Sequence, residues 1–194
     1  MAKSLVIVES PAKVKTINKI LGSTYKVTSS MGHLIDLPKS KLGVDIEHDF
    51  APTMIVMREK QKVLTKLKKE SKDMENIYIA TDPDREGEAI GWNLANHIGK
   101  GKNVYRVEFQ EITKEAVKKA FTKPRKFDEK LINAQVARRV LDRIVGYQIS
   151  PILWKKIGSR LSAGRVQSVA LRLIVDRERA IKSFIPQEYW QIAV

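Results

Sequence analysis

The segment NIYIATDPDREGE, at residues 76–88, carries the clearest indication of the fold class. Its first five residues form a short apolar run that is typical of a buried parallel strand, and its last eight are polar and acidic. The run LVIV at 5–8 is similar, and it too is followed by a polar turn and a helical pattern, which extends from Ala12 to Leu21 and stops at Gly22. A strand that leads through a polar turn into a helix is the repeating unit of an α/β sheet.

This alternation continues on both sides of the two strands. Further strand patterns cover residues 25–29 and 104–109, and further helical patterns cover 59–72, 114–121 and the residues from the acidic turn to about Ile98. Strands that alternate with helices predict an α/β, Rossmann-like fold with a largely parallel sheet flanked by helices. We expect this domain to occupy residues 1–150.

The later part of the chain is almost entirely helical in pattern. Residues 131–147 carry apolar side chains at a four-residue spacing, and Gly146 and Pro151 predict that the helix ends near them. A last helical pattern follows, and residues 188–194 alternate as a strand does. We therefore expect residues 151–194 to be the mainly helical beginning of a second domain, in a chain that is cut from a longer one.

The composition excludes several classes of protein. The chain of 194 residues contains no cysteine, which excludes disulfide scaffolds, thiolate metal sites and cysteine nucleophiles. No apolar run approaches the ~20 residues that cross a bilayer, and the amino-terminal residues resemble a strand and not a signal peptide. The simplest expectation is a cytoplasmic protein with no membrane partner.

The net charge of +14 favours a polyanionic partner. The basic residues are concentrated between Arg138 and Lys182, where eleven basic residues stand against three acidic ones. A solvated basic surface and a nucleic-acid interface both explain the total charge, whereas the local concentration favours nucleic acid.

Acidic residues follow two of the predicted strands. Asp82, Asp84 and Glu86 alternate directly after one strand, and Glu9 follows the other. Ligands of open α/β sheets bind outside the carboxyl ends of the strands, and hard carboxylate oxygens without His or Cys select Mg²⁺. A single acidic residue here would indicate only a helix N-cap, but three with Glu9 favour a magnesium site.

Four strings of residues resemble one family. Glu9 with the later Asp-x-Asp-x-Glu motif is similar to the toprim fold of topoisomerases, bacterial primases and some nucleases. The longer strings resemble the N-terminal, toprim-containing part of type IA DNA topoisomerases, most closely the bacterial topoisomerase I group. The resemblance covers nearly the whole chain and is carried by VESPAK at 8–13, SMGH at 30–33, TDPDREGEAI at 81–90 and LSAGRVQSVA at 161–170.

The resemblance implies a reaction and a role for each matching residue. Type IA enzymes relax negatively supercoiled DNA without ATP, by cutting one strand through a tyrosine that becomes linked to a 5′-phosphate. Glu9 would transfer a proton at the leaving 3′-oxygen and Lys13 would stabilise the scissile phosphate, although a surface lysine is the simpler interpretation of Lys13 without the family. The expected Mg²⁺ ligands are Glu9, Asp82, Asp84 and Glu86.

A basic helix is the candidate surface for single-stranded DNA. Arg139, Arg143 and Tyr147 lie four residues apart and share one helix face, beside a row formed by Arg138 and Asp142. Guanidinium groups and a stacking ring suit a single strand, but the pattern alone equally fits a solvated helix with an Arg138–Asp142 ion pair. The resemblance, in which this stretch lines a strand-binding groove, favours DNA.

Two further segments are candidate phosphate contacts. Ser162 is placed to cap the last helix, and Arg165 beside its N–H groups would make an anion site, to which Gln167 adds a polar contact. His33 follows Met31-Gly32, where a contact to phosphate and a buried structural role are both compatible with the sequence.

The tyrosines separate the possible functions. The chain has five, and none stands in the Tyr-x-Arg-Thr context that the family uses for its nucleophile. We therefore expect a fragment that supplies the Mg²⁺ site and part of the DNA groove, and that is inactive in cleavage without the missing C-terminal domains of its parent. Its partners would be single-stranded or negatively supercoiled DNA, near the nucleoid.

Two other functions are alternatives to the topoisomerase fragment: a small toprim nuclease or primase, and a non-catalytic DNA-binding module.

Overall fold

The structure is a computed structural model that describes residues 3–193. The chain divides into two compact units, Met1–Val140 and Leu141–Val194. The elements in chain order are β1 (Ser4–Val8), α1 (Pro11–Leu21), β2 (Tyr25–Ser29), β3 (Ile35–Asp36), β4 (Val44–Asp45), β5 (Ala51–Pro52), β6 (Ile55–Val56), α2 (Gln61–Ser71), β7 (Asn76–Ala80), α3 (Arg85–Ile98), β8 (Asn103–Arg106), α4 (Lys114–Phe121), α5 (Glu129–Lys156) and α6 (Arg165–Lys182).

A four-stranded parallel sheet forms the centre of the first unit, with the order β2-β1-β7-β8. This confirms the α/β prediction. In the register of the sheet Val8 lies opposite both Ser29 and Ala80, so β1, β2 and β7 end at the same edge. The residues that follow these three strands are therefore neighbours in space although they are far apart in sequence.

Alternation along the strands builds a core on each face of the sheet, because successive side chains point to opposite faces. Leu5 and Ile7 of β1 are fully buried in one cluster, which also contains apolar residues of β7, α2 and α3. Val6 and Val8 are fully buried in the other, with Ile17 of α1 and residues of α4. The short pairs β3–β6 and β4–β5 are antiparallel and lie in the segment between β2 and α2.

The helix α5 is longer than the sequence predicts. It was expected to end near Gly146 and Pro151, but it continues through Pro151 to Lys156. A proline inside a helix removes one hydrogen bond and disfavours the helix locally. Contacts from the following turn hold this last part: Ser150 Oγ accepts the N–H of Ala163 at 3.0 Å, and Trp154 Nε1 donates to the Leu161 carbonyl at 2.5 Å.

The second unit contains the end of α5, a turn at 157–164 and α6. No residue of α6 is buried. The predicted strand at 188–194 is absent from the described residues, which end at 193, and Trp190 is 90% exposed there. A strand needs a neighbour for its backbone hydrogen bonds, and none pairs with this segment in the described unit.

Over residues 3–193, no helix has the length and apolar content that a bilayer span requires.

Candidate functional site

The carboxyl edge of the sheet brings Glu9 and the acidic loop after β7 to the ends of adjacent strands. Glu9 follows β1 directly, and its backbone carbonyl accepts the N–H of Gly32 at 3.0 Å and the hydroxyl of Ser29 at 3.1 Å. Met31 and Gly32 both have positive φ, 56° and 80°, so the chain turns sharply after β2 to reach Glu9. This turn ties the SMGH string to the end of β1.

Lys13 and Asp82 form an ion pair between α1 and the acidic loop. The Lys13 side chain is 24% exposed and that of Asp82 is 45% exposed, so the pair lies at the rim of the edge. The ammonium group of Lys13 therefore lies next to a predicted metal ligand. The sequence contained both residues but no sign that they are in contact, because 69 positions separate them.

The other two acidic residues of the motif have protein partners as well. Asp84 is the N-cap of α3, where its side chain accepts the N–H of Gly87 at 2.7 Å. Glu86 Oε1 lies 3.2 Å from Nε2 of His33, which is two-thirds buried. The structure thus places His33 against a predicted metal ligand, and the helix-cap interpretation applies to Asp84.

The last acidic residue of the string, Glu88, is turned inward and is fully buried. It accepts hydrogen bonds from Arg106 at 2.9 Å and from Arg125 at 2.8 and 2.7 Å, and Arg125 also pairs with Glu108. Burial raises the pKa of Glu88, but the hydrogen bonds from Arg125 and Arg106 outweigh it and hold the pKa below its usual value. Hydrogen bonds to Glu108 and Glu88 raise the pKa of Arg125. This network was not predicted from the sequence.

The donor chemistry of the edge fits Mg²⁺. Carboxylates and no His or Cys were predicted as ligands, and oxygen donors at the carboxyl end of parallel strands suit this cation. Within residues 3–193, however, no three His, Asp or Glu side chains converge as a ready cation cage. Asp82, Asp84 and Glu86 each contact another protein group through one carboxylate oxygen, so a metal would share these carboxylates with their present partners or displace those partners.

In the first unit, α5 places Arg139 against the segment that follows β2. Its guanidinium donates to both carboxylate oxygens of Asp36, at 2.7 and 2.5 Å. Sequence reasoning missed Asp36, because 103 residues separate it from Arg139. A cavity of about 220 Å³ lies beside this pair and is lined by His33, Ile35, Asp36, Met54, Glu86, Asn93, Gln135 and Arg139. Two predicted DNA contacts therefore lie beside the predicted ligand Glu86.

In the second unit, Arg143 and Tyr147 are in contact, as their spacing predicts. The guanidinium carbon of Arg143 lies 5.2 Å from the centre of the Tyr147 ring, and Tyr147 is 41% exposed. Asp142 accepts from Nε of Arg165 at 2.6 Å, and this hydrogen bond raises the pKa of Arg165. Asp142 thus has an ion-pair partner on α6.

Ser162 does not cap α6, contrary to the prediction. The N-cap is Gly164, and no side chain accepts a hydrogen bond from the first turn. The Gln167 side chain lies so close to Gly164 that a Cβ built there would be 1.7 Å from Gln167 Oε1. Ser162 is exposed and lines a surface depression of about 560 Å³ together with Gln167. A helix capped by Ser162 would begin at residue 163, but α6 begins at Arg165, so Gly164 is the N-cap.

The comparisons with known proteins agree with this architecture. The family model of the Toprim domain matches residues 4–112, and a second family model, described as DNA topoisomerase, matches residues 126–194. The solved structure of full-length topoisomerase I from Thermotoga maritima is 54% identical, with a TM-score of 0.84 over 94% of this chain. The chain spans 31% of the length of that protein. The chain therefore belongs to the toprim family and, within it, to the bacterial type IA DNA topoisomerases of the topoisomerase I group, whose N-terminal, toprim-containing part it represents.

Proposed function

We propose that this chain supplies the Mg²⁺ site and part of the single-stranded DNA groove of a type IA topoisomerase that relaxes negatively supercoiled DNA without ATP. The nucleophilic tyrosine, which forms the transient 5′-phosphotyrosine link, would stand elsewhere in the parent protein. The observation that carries this proposal is that Glu9 and the Lys13–Asp82 pair both lie at the edge where two adjacent parallel strands end. The isolated chain would then be inactive in cleavage.

The residues of the edge divide the chemistry among them. Glu9, Asp82, Asp84 and Glu86 would hold Mg²⁺, which supplies positive charge against a phosphate when it is bound. Glu9 would also transfer the proton at the leaving 3′-oxygen. Lys13, already at the same edge, would neutralise the scissile phosphate once its contact with Asp82 is exchanged. His33, next to Glu86, would contact the DNA backbone.

The DNA-binding part of the proposal rests on the basic residues of α5 and α6. We assign contacts with a single strand to Arg138, Arg139, Asp142, Arg143, Tyr147, Ser162, Arg165 and Gln167. An exposed ring beside a guanidinium, as in Tyr147 and Arg143, offers a base-stacking surface and a phosphate contact together. The further partners would be the C-terminal domains of the parent, in the cytoplasm near the nucleoid. Residues 1–150 would form the toprim domain and 151–194 the start of the next.

Magnesium binding tests the proposal. Because carboxylates of like charge repel one another, Mg²⁺ should bind the folded chain and raise its thermal unfolding temperature in the millimolar range, following mass action. Changing Asp82 and Asp84 together to Asn should abolish this effect. Thermal unfolding of both proteins across a magnesium series, at constant ionic strength, measures it.

A matched control removes the same charge from the opposite end of β7. Asp73→Asn with Glu75→Gln changes two exposed acidic residues before the strand and should leave the magnesium effect intact. Equal stabilisation of the wild type and the Asp82→Asn, Asp84→Asn variant would contradict the assignment of the metal site.

A further inference from the structure

Arg106, at the end of β8, is a fully buried cation that none of the proposed chemistry uses. A buried charge is costly unless it is paired and its hydrogen-bonding groups are satisfied. The guanidinium of Arg106 meets both conditions: Nε donates to Glu88 at 2.9 Å, and the two terminal nitrogens donate to backbone carbonyls. Some of these carbonyls belong to the loop that carries the predicted metal ligands, so Arg106 contacts the backbone of the proposed site.

Two of these carbonyls belong to the start of the acidic loop, and Nη1 also donates to the Val107 carbonyl at 2.8 Å and the Ile79 carbonyl at 3.3 Å. Nη1 of Arg106 donates to the Thr81 carbonyl at 2.7 Å, and Nη2 donates to the Asp82 carbonyl at 2.7 Å. Asp82 is thus held on two sides, its backbone by the buried Arg106 and its side chain by Lys13 at the rim. A single planar group fixes two successive peptide units, which a fork of N–H donors can do and a point charge cannot.

The first turn of α3 closes the loop from the other side. The Thr81 hydroxyl donates to the Gly87 carbonyl at 2.6 Å, and a Cβ added to Gly87 would lie 2.1 Å from the Asp82 carbonyl oxygen. The Asp82 backbone is therefore enclosed between Arg106 and α3, so the loop backbone has little room to shift.

Arg106 is itself held in place by the segment before α5. Its backbone exchanges two hydrogen bonds with Arg125, at 3.0 and 2.9 Å, and Glu88 accepts from both arginines and from the N–H of Asp128 at 2.6 Å. The carboxylate of Glu88 thus joins β8, α3 and the 125–128 segment behind the loop.

We propose that Arg106 is a positioning residue, which holds the backbone of residues 81–82 so that the acidic loop presents its carboxylates for Mg²⁺, and thereby sets the affinity of the site. This inference rests on the proposed metal site. Groups behind the ligands of a metal typically change its affinity by about 10- to 100-fold when they are mutated. Arg106 has this relation to Asp82, although it contacts the backbone and not the carboxylate.

The test compares Mg²⁺ affinity with fold stability in separate measurements. Arg106→Lys keeps the charge but loses the fork, and calorimetric titration should show Mg²⁺ binding about 10- to 100-fold weaker than in the wild type. Val117→Ala, in the core cluster that contains α4, is the control: it should lower the unfolding temperature and leave the magnesium affinity unchanged. Arg106→Lys with wild-type affinity would overturn the inference.

A measurement on the wild type covers the case in which Arg106→Lys does not fold. In a magnesium titration followed by ¹⁵N NMR, the Nε–H resonance of Arg106 should shift with the same dissociation constant as the whole site. A resonance that stays in place at saturating Mg²⁺ would overturn the inference while the metal site stands. A wild type that binds no Mg²⁺ would instead overturn the proposed metal site, and this inference with it.

Discussion

Three of the acidic side chains at the carboxyl edge of the sheet each contact another group of the protein. Lys13 pairs with Asp82, His33 lies against Glu86, and Asp84 accepts a backbone N–H of α3. Two like charges about 4 Å apart cost roughly 4 kcal/mol at an effective dielectric constant of 20, so an acidic cluster needs such partners or a cation. With these partners, the side chains of Asp82 and Glu86 remain about half exposed at the edge.

The pKa of Tyr78 makes the stability of the first unit depend on pH. Its ring centre lies 5.2 Å from that of Tyr105, in a stacked arrangement, and 5.7 Å from that of Tyr25. Burial first, and then the neighbouring phenols of Tyr25 and Tyr105, raise the pKa of Tyr78 above its ordinary value. The neutral phenol is the form that the folded protein favours.

The sign of the pH effect follows from this direction. Because the folded-state pKa lies above the unfolded value of about 10, the stability that neutral Tyr78 contributes is fully present below about pH 10 and is lost as the pH rises through the folded-state pKa. Titration of phenolate absorbance should show a late ionisation that Tyr78→Phe removes, and unfolding in urea should show a smaller alkaline loss in the variant. A late step that persists in Tyr78→Phe would refute this assignment.

At the scale of elements, α5 carries both the arginine side chains and the exposed tyrosine ring that are candidates for DNA binding. Four-residue spacing places Arg139, Arg143 and Tyr147 on one row of the helix. In the first unit Arg139 pairs with Asp36, and in the second unit Arg143 contacts Tyr147. α5 continues through Pro151 although proline disfavours a helix interior. Contacts such as the hydrogen bond from Ala163 to Ser150 hold the helix on either side of the proline.

Binding of a short single-stranded oligonucleotide tests the role of this helix. Each phosphate contact on a single strand contributes about 0.7 to the log–log salt slope, so Arg143→Ala should weaken binding and flatten the slope by less than about one unit. Tyr147→Ala should cost roughly 1–3 kcal/mol of stacking with little change in the slope. Affinities at three salt concentrations measure both effects.

The matched control lies on α2, where Lys66 is exposed and basic but was assigned no role in DNA binding. Lys66→Ala removes the same charge as Arg143→Ala and should weaken binding less. If the two variants weaken binding equally and Tyr147→Ala has no effect, the surface is merely basic and the groove assignment is wrong.

At the scale of the whole molecule, the two units differ in how much apolar surface they bury. The first unit has a core cluster on each face of its sheet, whereas no residue of α6 in the second unit is buried. Ile174 and Leu173 of α6 are 66% and 67% exposed. Helices owe most of their stability to the packing of an apolar face, so α6, whose apolar residues are exposed, gains little stability from packing in this chain.

Hydrogen exchange should therefore separate the two units. Amides of β1 and β7 should exchange only through global opening of the first unit, because their residues are buried in the sheet centre. Amides of α6 should exchange many-fold faster at the same pH and temperature. Residue-resolved exchange on the 194-residue chain measures this, and protection of α6 equal to that of β7 would contradict it.

Local patterns in the sequence predicted the four strands of the parallel sheet, the helices that flank it and the location of the acidic edge. Apolar runs, helix stops such as Gly22 and the order of strand and helix are local signals, and they predicted the parallel sheet and the position of Glu9 beside the acidic loop. The strings of residues also carried the family resemblance, which the comparisons confirmed. Three local predictions were wrong: α5 continues through Pro151, no strand forms within residues 188–193, and the N-cap of α6 is Gly164 and not Ser162.

The partners of the charged side chains became visible only in the folded chain. Lys13 with Asp82, Arg139 with Asp36 and Arg106 with the acidic loop are separated by 69, 103 and 24 positions, respectively. No local periodicity encodes such pairs, because they depend on strand order, on register and on the direction in which each side chain leaves its element. Glu88 is an example. From the sequence it is indistinguishable from an exposed acidic residue, whereas in the fold it is buried and pairs with Arg106 and Arg125.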